Sequence, residues 1–540
     1  MAISPQERVF DYIIVGAGSA GCVLANRLSE NGKHSVCLIE AGPEISTPLE
    51  KIPSGFAYFM FSKLYNWGYN AKPESSIRSG APLFVPRGKA VGGCSATNGM
   101  VYIRGQKEDY DDWEKAGNPG WSYQDLLPYF KKSENNLRGA NEYHGTDGPL
   151  HIDDTPLFYP ISKVFLNAAT QAGYKQNADF NGAKQEGVGV WQRTIKDGVR
   201  YSAARAFLDP VRSRKNLSIL SKALVEKILV ENGAANGVQV MHAGEQIQLT
   251  ANREVILSAG TIASPQLLML SGIGDQEELK AVGVECIHHL PGVGKNLQEH
   301  VDACVLVRSK KSDGLTLSIT GLLKMIPAAI QYLLTRRGKL TSIIIETGGF
   351  IKSQSHLERP DLQLGMLPLL FDDNGRDLRL MRKKGYSCHI CILRPKSSGR
   401  VSLQSSSPTD PPEIDFNFFS HPDDKKTIVD GIKRVREILS AEAFDEYRAE
   451  EIHPGAGIVD DDAIFAKSKE RLGTVFHPVG TCKMGSDDLA VVSRRLNVHG
   501  IKNLRVIDAS IMPKLVSGNT NAPTMAIAEY ASEMVLADAT

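Results

Sequence analysis

Residues 10–42, FDYIIVGAGSAGCVLANRLSENGKHSVCLIEAG, decide the fold of this chain. An apolar, β-rich run ends at Val15 and passes directly into GAGSAG, and helical apolar spacing then continues to Leu28. This order predicts a strand, a tight turn and a helix. In such a turn, the first glycine lets the chain reverse and the second lets a pyrophosphate approach the backbone. The third brings helix and strand together, and the helix N-terminus offers its N–H groups to phosphates.

A second apolar run, residues 35–39, ends at Glu40 and Ala41. An acid at the end of the second strand of such a unit can accept the hydroxyls of an adenosine ribose. Strand, glycine turn, helix and acid together predict dinucleotide binding. The alternative is an ordinary glycine-rich turn between a strand and a helix.

Length and charge exclude several classes of protein. A chain of 540 residues is too long for one compact core, which favours two domains or one elaborated domain. The 62 basic and 61 acidic residues leave a formal net charge of +1, so no overall field attracts nucleic acid. The N-terminus is polar, and no apolar run approaches the ~18 residues of a membrane-spanning helix. We expect a cytoplasmic protein, soluble or peripherally bound to the inner face of the membrane.

The eight cysteines are scattered among apolar neighbours and lack the spacing of a disulfide framework, which predicts reduced thiols. Cys388 and Cys391 form a CxxC pair, but no second pair follows. Two side chains at this spacing in a strand point to opposite faces. The sequence therefore predicts no metal site.

Three later segments extend the first pattern. Residues 87–98 form a glycine-rich loop whose successive N–H groups suit an anion or a planar ring with carbonyls, the alternative being a simple connector. Residues 254–260 again form a buried strand that ends in Ala-Gly before a helix, and residues 503–510 form a strand that ends in an acid. Both can return to the first sheet, which predicts a discontinuous nucleotide domain.

The remaining segments favour a second domain. Residues 216–221, 224–231 and 237–242 are rich in β-forming residues and favour a meander. From residue 309 to about residue 466, longer aliphatic runs and proline-rich breaks indicate a separate, substrate-facing unit.

Six motifs occur in the order found in the glucose-methanol-choline (GMC) oxidoreductases, and the chain resembles this family over almost its whole length. The motifs are GAGSAG with Glu40, GKAVGGCSATNGMVYIRG, AGTIASPQLLMLSGIG, LPGVGKNLQEH, FHPVGTCKMG and IDASIMPKLVSGNTNAPTMAIAE. The resemblance implies an α/β flavoenzyme with a Rossmann-like, discontinuous FAD-binding domain and an α+β substrate-binding domain. Within the family, the chain is most similar to the bacterial choline-dehydrogenase-like alcohol dehydrogenases.

The domain division that we expect assigns residues 1–160 and 215–308 to the FAD-binding domain. Residues 161–214 and 309–474 belong to the substrate-binding domain. Residues 475–540 contribute the active site and the last part of the FAD-binding domain.

Oxidation of an alcohol by hydride transfer to flavin N5 needs a base for the hydroxyl proton and a polar group that orients the oxygen. The resemblance implies that the base is His477 and that its partner is Asn521. Thr97 stands where some relatives carry the histidine that bonds FAD covalently, so we expect non-covalent FAD. The residues that the resemblance places around FAD are Gly16, Gly18, Ser19, Ala20, Gly21, Glu40, Ala41, Gly92, Gly93, Asn98, Gly99, Met100, Val101, Val225, Ala259, Gly260, Asp508 and Ala509.

Two features bear on substrate and electron acceptor. Glu346 lies in ETGGF, which resembles an active-site segment where an acid can recognise a cationic alcohol; a structural carboxylate is an alternative of at least equal weight. Residues 322–334, followed by Arg336 and Arg337, have an amphipathic pattern with a basic end and a kink at Pro327. Such a helix can rest on a membrane and admit a quinone, or it can pack on the core of its own protein.

We therefore expect an FAD-dependent dehydrogenase that oxidises a primary, medium-chain aliphatic alcohol to the aldehyde and passes electrons to a quinone-like acceptor. The alternatives are choline or another polar alcohol as substrate, oxygen as acceptor, and a non-catalytic protein that only binds FAD. The sequence assigns no oligomeric state.

Overall fold

The computed structural model describes residues 8–74, 77–372 and 375–539, so most of the polar N-terminus discussed above lies outside the described residues. Within these ranges, two large sheets of seven strands each are covered by helices, which is the α/β architecture expected. The helices are α1 (Ser19–Ser29), α2 (Phe56–Phe61), α3 (Lys107–Lys115), α4 (Tyr123–Ser133), α5 (Pro160–Gln171), α6 (Gly260–Leu270), α7 (Gln276–Ala281), α8 (Ile319–Thr335), α9 (Leu378–Met381), α10 (Pro422–Ser440), α11 (Asp461–Glu470) and α12 (Asn521–Asp538).

The first sheet is built on the strand Val9–Val15, which pairs in parallel with Val36–Ile39 on one side and with Glu245–Leu257 on the other. Val36–Ile39 is buried along its whole length, as expected for an inner strand of a parallel sheet with both faces covered. Leu217–Leu220 and Leu504–Val506 extend the parallel part. The segments predicted near residues 254 and 503 therefore do return to the first sheet.

Glu245–Leu257 joins two parts of this sheet. Its first half pairs antiparallel with Ala234–His242, which in turn pairs with Ala223–Glu231. The predicted meander is correct for these strands but wrong for Leu217–Leu220, which lies at the far edge beside Val36–Ile39. Residue type indicates that a segment is a strand, but not which distant strand accepts its hydrogen bonds.

The second sheet is antiparallel, and helices α5 and α10 cover one of its faces. Cys388 and Ile390 lie in the core on the helix side, whereas His389 and Cys391 line a cavity on the other side. The two CxxC side chains thus point to opposite faces, as predicted. In spatial order the strands are Arg448–His453, Val301–Ser309, Gly385–Ile392, Leu362–Leu367, Thr347–Ile351 and Gly187–Val190, with Gly473–Thr474 also beside Val301–Ser309.

Val301–Ser309 corrects one predicted boundary. We expected residues 215–308 to belong to the FAD-binding domain, but this strand pairs with Gly385–Ile392 and Arg448–His453 in the second sheet. The middle segment of the chain that contributes to the first sheet therefore ends before residue 301, and the chain returns to this sheet at Leu504–Val506.

The amphipathic segment forms helix α8. Ser318 caps its N-terminus by accepting a hydrogen bond from the N–H of Gly321, and the helix continues through Pro327. Most of its apolar side chains are exposed, and only Ala328 and Tyr332 are buried. Among the described residues, none of the helices combines the length and the hydropathy needed to cross a bilayer.

Candidate active site

A cavity of about 1200 Å³ lies between the two sheets. It exceeds the ~300–1,000 Å³ of an ordinary small-molecule site and has room for a dinucleotide together with a small substrate. Two of the predicted cofactor-binding residues, Gly21 and Gly92, do not line it. The predicted cofactor-binding residues that line it are Gly16, Gly18, Ser19, Ala20, Glu40, Ala41, Gly93, Asn98, Gly99, Met100, Val101, Val225, Ala259, Gly260, Asp508 and Ala509.

The glycine turn after the first strand has the geometry that phosphate binding needs. Gly16 has a φ of +101°, and a Cβ on Gly21 would lie 1.9 Å from the carbonyl oxygen of Gly16. Both positions therefore require glycine. Gly18 is the N-cap of α1, and within the described ranges no side chain caps this end. The first N–H groups of α1 are thus available to a ligand in the cavity.

The second glycine loop lies against the first turn. The N–H of Gly92 donates to the carbonyl oxygen of Ala17 at 2.7 Å. From behind, the Arg200 guanidinium donates to the carbonyl oxygen of Asn98 at 2.6 Å. Residues 87–98 are therefore part of the cavity wall and not a simple connector.

Glu40 faces the same turn. Its carboxylate accepts the N–H groups of Ala17 at 3.0 Å and of Gly42 at 2.8 Å. Burial raises the pKa of Glu40 to about 7, although these two hydrogen bonds act in the opposite direction. A carboxylate oxygen that accepts one hydrogen bond has a further lone pair, so Glu40 can still accept ribose hydroxyls from the cavity.

Asp508 connects the last strand of the first sheet to the start of α6. Its Oδ2 accepts the N–H of Gly260 at 2.8 Å and the Ser264 hydroxyl at 2.6 Å, and its Oδ1 accepts the N–H of Ser510 at 2.8 Å. Both oxygens therefore accept protein donors, two at Oδ2 and one at Oδ1. The sequence predicted that Asp508 lies near the cofactor. In the structure Asp508 lines the cavity, and its hydrogen bonds hold the backbone of the cavity wall in position.

His477 lies on the loop that follows Gly473–Thr474 and lines the cavity. Its backbone N–H donates to Oε1 of Glu299 at 2.8 Å. The preceding residue, Phe476, has a φ of +69°, which is costly for a bulky side chain and persists only where surrounding contacts enforce it. The backbone that presents His477 is thus held in a strained, defined conformation.

A second histidine, His300, sets the protonation of the His477 ring. His300 Nε2 lies 3.1 Å from the carbonyl oxygens of Leu393 and Val516, so we assign the hydrogen to this nitrogen. Burial lowers the pKa of His300 to about 4, so the ring is neutral and its Nδ1 is an acceptor. This Nδ1 lies 3.1 Å from His477 Nδ1, which must therefore be the donor.

His477 Nε2 is consequently the acceptor nitrogen of the ring, as a base requires. Burial lowers the pKa of His477 well below its usual range, and the neighbouring His300 and Arg87 act in the same direction. The imidazole is therefore neutral at physiological pH. The motif LPGVGKNLQEH contains Glu299 and His300, but the sequence alone assigned no role to either.

The partner of His477 differs from the predicted one. Asn519 Nδ2 lies 3.1 Å from His477 Nε2. Asn521 begins α12, and its Oδ1 accepts a hydrogen bond from the Ser19 hydroxyl at 2.6 Å. Both asparagines line the cavity, but only Asn519 contacts the histidine, so the prediction of Asn521 as the partner is wrong.

Glu299, His300 and His477 are close enough together to suggest a metal site. However, Glu299 Oε1 accepts two backbone N–H groups, from His300 and His477. Both ring nitrogens of His300 also have protein partners. We therefore assign this cluster to the positioning of His477.

The prediction of Glu346 as a substrate-binding acid is also wrong. Its carboxylate is fully buried and accepts the N–H groups of Phe158 and Tyr159 and the hydroxyls of Ser162 and Ser342. It satisfies backbone donors at the start of α5 and does not line the cavity. Glu346 therefore has the structural role that was the alternative.

Asp302 is the acid that the sequence analysis missed. It lies just after His300 and lines the cavity, and its Oδ2 lies 2.8 Å from Nδ1 of His389. Burial lowers the pKa of His389, but the Asp302 carboxylate outweighs this and raises it. Among the described residues, Asp302 Oδ1 has no hydrogen-bond partner. Asp302 is therefore a carboxylate of the cavity wall whose charge is paired with His389.

Family models agree with this geometry. The N-terminal domain model of the GMC oxidoreductases matches residues 10–302, and the C-terminal domain model matches residues 395–528. The chain belongs to the GMC oxidoreductase family. The first match contains the glycine turn and His300, and the second contains His477 and Asn519.

Individual GMC relatives cover nearly the whole chain. The "Alcohol dehydrogenase [acceptor]" of Pseudomonas putida is 46% identical over 98% of this chain and 96% of its own length. The "Oxygen-dependent choline dehydrogenase" of Vibrio vulnificus is 41% identical over 98% and 95%. The solved structure of an FAD-dependent oxidoreductase from Chaetomium thermophilum superposes with a TM-score of 0.86 at 28% identity, covering 98% of this chain and 99% of the other.

This GMC oxidoreductase is an FAD-dependent alcohol oxidoreductase. The structure fits the cofactor, because the uncapped start of α1 suits the pyrophosphate and Glu40 suits the ribose. The loop around Gly93 and Asn98 and the pair His477–Asn519 lie along the same cavity. FAD, when bound, accepts the hydride of the alcohol carbon.

Proposed function

We propose that this protein oxidises a primary, medium-chain aliphatic alcohol to the aldehyde and passes the electrons to a quinone-like acceptor. The observation that carries this proposal is the pair His477 Nε2 and Asn519 Nδ2, 3.1 Å apart on the wall of the cavity. His477 Nε2 carries the lone pair that takes the hydroxyl proton. Asn519 donates a hydrogen bond to the oxygen as negative charge develops on it.

The cavity wall supports an aliphatic substrate. Several apolar side chains from the second sheet and from the segments beside α8 line it, and Asp302 already has a partner in His389. An alkyl chain needs only such apolar walls, whereas a quaternary ammonium needs an unpaired negative charge or an aromatic box. The apolar residues are Leu315, Leu317, Met325, Ile343, Ile345, Leu367, Leu369 and Phe371.

A series of linear alcohols tests the substrate. Each added methylene should strengthen binding by up to ~0.8 kcal/mol until the apolar part of the cavity is filled. We expect kcat/KM to rise from ethanol towards hexanol and octanol, and to be poor for choline. The measurement compares these substrates with one artificial electron acceptor under anaerobic conditions.

The matched variants for this series are Asp302→Asn, which removes the wall carboxylate that pairs with His389, and Glu346→Gln, which removes a carboxylate outside the cavity. Neither should change the preference for long alkyl chains. If choline is the better substrate and Asp302→Asn abolishes that preference, the polar-alcohol alternative is correct.

Two observations support a quinone-like electron acceptor. The Pseudomonas putida relative is named for an unspecified acceptor, and exposed apolar side chains surround one end of the cavity. Reduced protein should transfer electrons faster to a quinone analogue or a dye than to oxygen. Stopped-flow reoxidation with each acceptor measures this, and peroxide formation at the rate of dye turnover would identify an oxidase.

We also propose that FAD binds without a covalent bond. Thr97 lines the cavity, and its hydroxyl lies 3.4 Å from the carbonyl oxygen of Cys94. A threonine at this position has no ring nitrogen with which to attack the flavin.

A further inference from the structure

The cavity reaches the protein surface between three segments, residues 56–64, 319–340 and 378–384, which we call the mouth surface. Phe61, Leu322 and Leu378 line the cavity and are also exposed, so the opening lies between α2, α8 and α9. Access to His477 from this side therefore passes between apolar side chains.

The mouth surface is unusually apolar for exposed protein. On α8, Ile319 is 80% exposed, Leu333 68% and Leu334 79%, and Leu323, Ile326 and Ile330 are exposed as well. Tyr58 and Leu64 extend the same surface on the side of α2. Apolar side chains scattered singly need no explanation, but a contiguous patch marks an interaction site.

Helix α8 touches the rest of the protein through few groups. Its buried residues are Ala328 and Tyr332, and the Tyr332 hydroxyl donates to the carbonyl oxygen of Lys51 at 2.9 Å. The helix is thus fixed on one side while its opposite, apolar side faces outward. This is the arrangement of a helix that lies in a bilayer interface.

The charge of the mouth surface indicates which kind of partner covers it. The mouth surface contains nine Lys and Arg residues and no Asp or Glu, in a chain with a formal net charge of only +1. The rest of the chain is therefore net negative. A second copy of the chain placed on this surface would bring two cationic surfaces together, whereas anionic lipid headgroups complement it.

We infer that the mouth surface binds an anionic phospholipid bilayer, with the apolar side chains of α8 in the interface and the cavity open towards the lipid. This extends the proposed function, because lipophilic alcohols and quinones both concentrate in that phase. The experiment that tests it measures vesicle binding, not alcohol oxidation. A negative result for the membrane surface is therefore distinguishable from a negative result for the proposed substrate.

Co-sedimentation of the full-length, FAD-loaded protein with phosphatidylcholine vesicles, with and without phosphatidylglycerol, tests the inference. We expect binding to the anionic vesicles to exceed binding to the neutral ones by about tenfold or more, and to fall as salt is added. The pairs Leu323→Ser/Ile330→Ser and Lys383→Glu/Lys384→Glu should each lower it by about tenfold.

Val459→Ser is the matched control, because Val459 is 73% exposed and lies outside the mouth surface. FAD content and turnover of a water-soluble alcohol with a dye show that each variant is folded. Equal sedimentation with and without phosphatidylglycerol, or unchanged binding of the paired variants, overturns the inference. A dimer in sedimentation velocity that the same variants dissociate would show a subunit interface instead.

Discussion

The variant His477→Ala is expected to retain FAD and to slow alcohol-dependent bleaching of the flavin by roughly two to four powers of ten, the usual contribution of a general base. The physical reason is the lone pair on Nε2, which makes this nitrogen a base because the ring is neutral and Nδ1 carries the hydrogen that it donates to His300. Anaerobic stopped-flow absorbance at saturating alcohol measures the rate of this step.

The pH dependence of the same rate gives an independent readout. Because the pKa of His477 is well below its usual range, the base is already deprotonated at neutral pH. The rate should stay constant from neutral pH down to that low pKa and fall only below it, and this fall should be absent in the variant. His421→Ala is the control, because His421 is the half-exposed N-cap of α10 and does not line the cavity. Bleaching at a near-normal rate in His477→Ala would show that another group takes the proton.

A second large effect on the rate of flavin bleaching is expected for the replacement of Asn519, but not for that of Asn521. Asn519→Ala is expected to lower the rate of bleaching by about two to three powers of ten, as for the loss of one donor to a developing oxyanion. The reason is that Asn519 Nδ2 lies 3.1 Å from His477 Nε2. An alcohol oxygen that is close enough to Nε2 to lose its proton is therefore also within reach of the Asn519 donor. Single-turnover kinetics over a range of alcohol concentrations separate this effect from substrate binding.

Asn521→Ala, two residues further at the start of α12, is the matched variant. It removes the acceptor for the Ser19 hydroxyl at the start of α1, so the change should appear in FAD binding. A neutral hydrogen bond contributes about 1 kcal/mol, so the FAD dissociation constant should rise about fivefold while the rate of bleaching is nearly unchanged. A larger loss of rate in Asn521→Ala than in Asn519→Ala would restore the assignment made from the sequence.

The sequence determined the features that depend on neighbours along the chain. Strand, glycine turn and α1 form within residues 9–29, and Gly16 and Gly21 are required by backbone geometry inside that segment. The opposite directions of Cys388 and Cys391 also follow from strand geometry alone. Family motifs placed His477 on the cavity wall because the loop that carries it has the family's order of residues.

Only the tertiary structure decided which side chains meet. Asn519 and Asn521 are close in sequence, yet one contacts His477 and the other contacts Ser19, because the chain turns into α12 between them. Glu346 binds donors at the start of α5, a contact across more than a hundred residues. Asp302 faces the cavity because its neighbours Val301 and Ala303 point to the helix-covered face of the second sheet, which leaves Asp302 on the opposite face. Such contacts depend on strand partners and loop directions, which are set by hydrogen bonds and packing between distant segments and leave no pattern in the local sequence.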